Sequence, residues 1–278
     1  MKANLVYYSQ TGNTVKVAEA IAEGLDAGGY RPQLIPLHRA VPEDALDCDL
    51  FGVGAPAHAS RPGTPILAYL GGLPLLPEHF AFVFATTGGA PGRTLPDLAA
   101  PLRERGARVL GGFKARGEIA HPAPSLNGRF RGRPDREDLA RAHAFGRTLG
   151  DWLLGRSAAP LPAVWRELTA PGRGLYDLIG ASTDDAGLRR LFPAPTVDPS
   201  RCSACAWCEH ACPMENIRLD PYPVAGEDCI RCYHCVNGCP EHARTVERWG
   251  MGEVILKGFY NERFERWFGD VQRGEDVY

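Results

Sequence analysis

The feature that most narrows what this chain can fold into is a pair of cysteine runs, CSACAWCEHACP at residues 202–213 and CIRCYHCVNGCP at residues 229–240. Each reads C-x2-C-x2-C-x3-C-P, and a shift of 27 residues lays all four cysteines and Pro213 of the first run on those of the second. Val197 and Val224 coincide under the same shift, so the segment is an internal duplication. Eight of the nine cysteines fall between residues 202 and 239, while Cys48 stands apart. Such clustering points to metal rather than to a disulfide framework, with the thiols free to act as ligands in a reducing compartment.

The spacing suits one chemistry in particular. Three thiolates two residues apart can wrap three irons of a cubane, while the fourth, redirected by its proline, reaches the other cluster. On this bacterial-ferredoxin pattern one 4Fe-4S cluster takes Cys202, Cys205, Cys208 and Cys239. The second takes Cys229, Cys232, Cys235 and Cys212. Structural zinc sites favour two separated C-x2-C pairs over an evenly spaced run of three followed by proline. Trp207, Tyr233 and His234, lying among the ligands, either shield a cluster or pack within the small module. Cys48 sits between Asp47 and Asp49, acidic neighbours that raise a thiol pKa, and it reads as structural.

The first 120 or so residues follow another rule. Apolar, strand-like runs at 4–8, 33–37, 50–54, 80–85 and 108–114 alternate with amphipathic runs at 13–27, 65–70 and 95–105, and a last one follows at 136–154. Continuous apolar strands separated by helices predict a parallel sheet covered on both faces, hence an α/β domain.

The first strand-to-helix turn is SQTGNT, residues 9–14. Unpaired N–H groups and the positive end of the helix dipole make such a turn an anion site. It has no lysine for a nucleoside-triphosphate loop and only Gly12 where a dinucleotide fingerprint needs three glycines. What remains is phosphate binding by backbone N–H groups and the hydroxyls of Ser9, Thr11 and Thr14, with Asn13 at the helix start. Taken alone, the hexapeptide also suits a neutral helix cap.

This S/T-x-T-G-N-T turn resembles the phosphate loop of the flavodoxin family, over roughly residues 1–150. The resemblance implies a doubly wound parallel five-stranded sheet in the order 2-1-3-4-5, with FMN at the switch point between strands 1 and 3. It places the FMN phosphate on Ser9, Gln10, Thr11, Gly12, Asn13 and Thr14. Two later loops, APAHASRPGTP at 55–65 and TTGGAPGRT at 86–94, are rich in Gly and Pro, which lets backbone approach a flat ring closely. The resemblance assigns that ring to Pro56, Ala57, His58, Thr86, Thr87, Gly88, Gly89 and Gly92. Many flavodoxins hold the ring between a Trp and a Tyr from these loops; here His58 is their only aromatic residue.

The organisation expected is a flavodoxin-like FMN-binding domain at 1–154, a structured connector at 155–196, a small α+β ferredoxin-like domain with two 4Fe-4S clusters at 197–247, and an amphipathic tail at 248–278. Five prolines break the connector into short pieces, with short helices expected near 164–168 and 175–179. In the tail, Tyr260, Phe264, Trp267 and Phe268 share one helical face, suited to packing on the protein or to docking a partner or a membrane.

A net charge of -2 makes no case for nucleic acid. No apolar stretch approaches the roughly 20 residues of a membrane span, and no secretory signal opens the sequence, so the expected compartment is the cytoplasm. The whole resembles a flavodoxin-ferredoxin fusion, which implies an electron-transfer protein passing electrons between FMN and two 4Fe-4S clusters, to or from a redox partner protein. The alternative is a flavin-dependent reductase of a small molecule fed by the clusters. Its substrate pocket would be residues 117–135, with Arg129, Arg131, Arg133 and Arg136 offered to an anion or left as solvated charge. A redox sensor would need an output domain, and no helix-turn-helix or RNA-binding signature is visible.

Overall fold

A computed structural model describes residues 1–259, so Tyr260, Phe264, Trp267 and Phe268 lie outside the described residues. The described residues form two compact units, one of residues 1–118 and 130–181, the other of residues 119–129 and 182–259.

The first unit runs β1 (Lys2–Tyr7), α1 (Asn13–Ala27), β2 (Arg31–Pro36), α2 (Pro42–Ala45), β3 (Leu50–His58), β4 (Arg61–Pro62), α3 (Thr64–Gly71), β5 (Phe80–Thr87), α4 (Thr94–Glu104), β6 (Arg108–Arg116), α5 (Arg136–Leu153), α6 (Ala163–Glu167) and α7 (Leu175–Ser182). Five strands pair in parallel in the order β2-β1-β3-β5-β6, which is the expected doubly wound sheet. Both faces are covered. Leu5, Ile21, Leu25, Phe82 and Phe145 belong to a core beneath α1 and α5, and Val6, Phe51, Ile66, Val83 and Leu98 to a second core beneath α3 and α4. Burying each such side chain contributes about 1.5–3 kcal/mol.

Helices α1 and α5 approach until their backbones touch. A Cβ on Gly24 would fall on the carbonyl oxygen of His143, and one on Gly146 on that of Ile21. Asp135 starts α5 with a capping box, its carboxylate accepting from the N–H groups of Glu137 and Asp138. Hydrogen bonds from those amides, Asp138 first, hold its pKa below the usual carboxylate value.

One difference from the sequence reading lies at 55–62. Strand β3 continues to His58 and turns back into β4, pairing Ala57 with Pro62 and His58 with Arg61. The reversal is made by Ala59 and Ser60, both at positive φ (51° and 65°), where glycine would be the usual signal.

The second unit contains α8 (Asp185–Leu191), β7 (Thr196–Val197), α9 (Trp207–His210), β8 (Ile217–Leu219), β9 (Pro223–Ala225), α10 (His234–Asn237), β10 (Arg244–Thr245) and α11 (Gly250–Phe259). The duplication persists in the backbone: α9 maps onto α10, and the left-handed residues Ala204, Ala206 and Glu215 map onto Arg231, Tyr233 and His242 under the same 27-residue shift. Pairing crosses between the copies, β7 with β10 and β8 with β9, both antiparallel.

Residues 119–129 group with the second unit although they lie between two segments of the first. The Ala120 carbonyl accepts from the Asn237 side chain at 2.6 Å. His121 meets the rings of Tyr233, Trp249 and Phe192 with centroids 4.9, 5.2 and 5.8 Å away. His121, within the loop that the sequence offers as a substrate pocket, is thus packed among aromatic side chains. Of the loop's arginines, Arg133 is paired with Asp135 and with the fully buried Asp138.

Candidate flavin and cluster sites

The turn after β1 begins α1 with Gly12 in the left-handed region, φ 89°, where a Cβ would meet no atom within 4 Å. The cap residue supplies no side-chain hydrogen bond, although the Val15 N–H does reach the Ser9 hydroxyl at 3.4 Å. Asn13 fixes the turn by donating to the Glu118 carbonyl at 2.9 Å. The amide nitrogen of Gln10 is buried and has no hydrogen-bond partner, so it is a donor in need of an acceptor.

The three segments assigned to one site meet at the carboxyl ends of the strands. Thr14 and Thr86 share a hydrogen bond at 2.8 Å between their buried hydroxyls, joining the start of α1 to β5. Pro56 stands beside Thr86 in the pairing of β3 with β5. Thr87 is buried and accepts from the Gly89 N–H at 3.1 Å, which curls the loop after β5. Ala57, His58 and Gly88 are partly exposed, as a ring-binding edge requires, and Gly92 lies at the far end of the second loop. Hydroxyls, an unencumbered glycine and the unsatisfied side-chain nitrogen of Gln10 at the carboxyl ends of the strands fit a phosphate and a flat heterocycle.

The sequence reading missed what backs these loops. The Ser60 carbonyl accepts from the Arg93 N–H at 2.8 Å, tying the β3–β4 hairpin to the second loop. Helix α7 lies so close that a Cβ on Gly92 would be 2.5 Å from the Tyr176 carbonyl oxygen. No local signal marks either contact, because each joins residues far apart in the chain.

In the second unit the eight clustered thiols are divided between two cavities. Cys202, Cys205, Cys208 and Cys239 line one, together with Trp207, Leu219 and Arg244. Cys212, Cys229, Cys232 and Cys235 line the other, with Ile217, Ile230 and Tyr233. Each quartet takes its fourth cysteine from the opposite copy of the repeat. Among the described residues no three His, Cys, Asp or Glu side chains are arranged to hold a single metal ion.

Each crossing cysteine accepts an N–H from the residue four positions on: Asn216 to Cys212 Sγ at 3.4 Å and Ala243 to Cys239 Sγ at 3.3 Å. Burial raises the Cys235 thiol to about 11 and the Cys208 thiol also upward, with the Arg244 cation opposing both shifts. These two thiols therefore hold their protons more tightly than a free cysteine, and metal loading must release them. Four soft sulfurs in an apolar pocket, with N–H donors on the sulfur atoms, fit an iron-sulfur cluster. Tyr233 is buried beside the second quartet and donates its hydroxyl to the Pro193 carbonyl, and the Trp207 ring is tilted against that of His234 with centroids 5.3 Å apart.

Cys48 belongs to neither site. Its thiol donates to the Ala45 carbonyl, and burial, more than its acidic neighbours, pushes its pKa up to about 11.

A doubly wound sheet, on a chain that also carries eight thiols lining two cavities, is the architecture of an electron-transfer protein of the flavin and iron-sulfur class. The comparisons agree: residues 5–56 match the flavodoxin family, and residues 194–248 match the 4Fe-4S dicluster domain. The chain thus carries an N-terminal flavodoxin domain and a C-terminal 4Fe-4S dicluster domain, the arrangement of a flavodoxin-ferredoxin fusion.

Among solved structures it is similar to a flavodoxin from the domain Archaea, at 21% identity and TM-score 0.45 over 55% of this chain and 99% of that one. Flavodoxin 1 from Bacillus cereus has 22% identity and TM-score 0.40, covering 52% of this chain and 95% of its own. The rubredoxin oxygen:oxidoreductase from Desulfovibrio gigas has 20% identity and TM-score 0.44, covering 57% of this chain but 37% of its own. No curated protein matched the chain. No helix among the described residues is long and apolar enough to cross a membrane.

Proposed function

We propose that this protein passes electrons between FMN and two 4Fe-4S clusters, to or from a redox partner protein in the cytoplasm. FMN is held by residues 9–14, by Pro56, Ala57 and His58, and by Thr86, Thr87, Gly88, Gly89 and Gly92. Cys202, Cys205, Cys208 and Cys239 hold one cluster, and Cys229, Cys232, Cys235 and Cys212 the other. The working divisions are 1–154 for FMN, 155–196 as connector, 197–247 for the clusters and 248–278 as tail.

The observation that carries this reading is the sorting of eight thiols into two crossed quartets, on a chain whose other unit presents an open phosphate turn. Bound flavin exchanges one or two electrons, whereas a 4Fe-4S cluster exchanges one. Covalent fusion makes the exchange intramolecular at high effective concentration. The chain's own part is to hold the phosphate on backbone amides, to keep the Thr14–Thr86 bond closed behind it, and to place N–H donors on the sulfurs.

Anaerobic purification tests the reading. Flavin absorption over broad iron-sulfur absorption, with about eight irons per chain, is the expected result. Colourless protein, or zinc at the cysteines, would falsify it. Stepwise reduction followed by electron paramagnetic resonance tests the exchange, which fails if flavin stays oxidised while both clusters are reduced and equilibrated.

A further inference from the structure

Arg244 is a buried cation, 3% exposed, on the short strand β10. One guanidinium nitrogen donates to the Pro223 carbonyl at 2.7 Å, and another lies 3.9 Å from Cys235 Sγ of the second quartet. The same side chain lines the cavity of the first quartet, and its Nε is buried without a hydrogen-bond partner. Among the described residues no carboxylate lies within ion-pair distance of it. Glu241, on the rim of the same cavity, is exposed and accepts from Ser203. A buried cation is costly unless an anion compensates it. The groups placed to do so are the cysteine sulfurs.

The internal repeat shows that this charge is an addition to the basic unit. Under the 27-residue shift, Arg244 corresponds to Ile217, which is buried to the same degree and lines the other cavity. One copy thus places an aliphatic side chain where the other places a guanidinium.

We propose that Arg244 is the shared internal counter-cation of the two clusters and raises their reduction potentials. The inference rests on the cluster assignment above. A cluster in a cage of four thiolates gains one negative charge with each electron it accepts, so a fixed positive charge beside it stabilises the reduced form. Low exposure keeps solvent from screening that effect. Arg244 positions charge rather than binding iron, and its effect reaches both clusters because the guanidinium lies beside Cys235 of the second quartet while the side chain lines the cavity of the first.

The experiment is potentiometric reduction of the full-length, cluster-loaded protein, with each cluster followed by electron paramagnetic resonance. Arg244→Met is expected to disfavour reduction of both clusters at least about tenfold, a fall of about 59 mV for a one-electron couple. Arg244→Lys, which keeps the charge, and Ile217→Met, at the equivalent position of the other copy, are expected to stay within about threefold of the parent. Unmoved potentials in Arg244→Met overturn the proposal, as does an equal fall in Arg244→Lys. If Arg244→Met fails to assemble clusters, Arg244→Gln, which keeps a donor for Pro223, is held to the same criteria. Parent protein without two cluster signals would sink the cluster assignment and this inference together; normal signals with unmoved potentials sink this inference alone.

Discussion

The hydroxyl of Thr14 is hydrogen-bonded to that of Thr86 across 72 residues of sequence, both side chains being buried. This one contact closes the phosphate turn onto the loop assigned to the flavin ring. Thr14→Val removes it and leaves the Thr86 hydroxyl buried without its partner, at a cost of about 1–3 kcal/mol. The expected result is FMN binding weakened about five- to hundredfold, read by fluorescence titration of flavin-stripped protein. Thr14→Ser keeps the hydroxyl and is expected to stay within about threefold. Equal affinities for parent and Thr14→Val would show that the loops need no such clasp.

The crossing of the cysteine quartets is open to a test by pairs of substitutions. Cys202 and Cys239 line one cavity, so Cys202→Ala with Cys239→Ala is expected to remove one cluster and leave about four irons per chain. Cys202 and Cys212 line different cavities, so Cys202→Ala with Cys212→Ala is expected to remove both clusters. Iron analysis reads the outcome directly, and the reverse pattern would mean that each run binds its own cluster.

The glycines between α1 and α5 make an opposite-sign comparison. In a free helix Gly→Ala stabilises by about 1 kcal/mol. At Gly24 and Gly146 the added methyl meets backbone of the facing helix, which cannot swing aside as a side chain can. Gly24→Ala and Gly146→Ala are therefore expected to destabilise by about 1–3 kcal/mol. Gly71, at the end of α3, has nothing within 4 Å of its would-be Cβ and is the control, neutral or mildly stabilising. Denaturant midpoints of the apoprotein measure all three, and a stabilised Gly24→Ala would contradict the close approach.

Cys48 is expected to resist alkylation in the folded protein at about pH 8, because burial holds its thiol pKa near about 11. A thiol that keeps its proton more tightly when folded contributes stability that is intact below its unfolded pKa. That contribution is lost as pH rises through about 9 to 11. Mass spectrometry after iodoacetamide, with and without denaturant, checks the first point; rapid labelling of folded protein would refute the assigned burial.

Much of this architecture is legible in the linear order of residues. The α1 boundaries and the five parallel strands follow from local periodicity. Strand and helix periods are properties of the backbone, and a thiol spacing of two and three residues limits what one cluster can touch. The hairpin at Ala59 and Ser60 is less visible, because neither residue is the glycine that usually announces positive φ.

Other features depend on which distant segments meet. Residues 119–129 read as an enlarged loop of the first domain, yet His121 is packed against Tyr233, 112 residues later by their numbers in the chain. Nothing local marks Gly24 and Gly146 as the points where α1 and α5 touch. Nothing local marks Arg244 either, and the pairing of β7 with β10 and the closing of the cavities bury it beside the cysteine sulfurs. Hydrophobic pattern and ligand spacing are local and survive in the sequence. Burial, close approach and the electrostatic field at a cluster arise from long-range packing, and so they appear when the chain is folded.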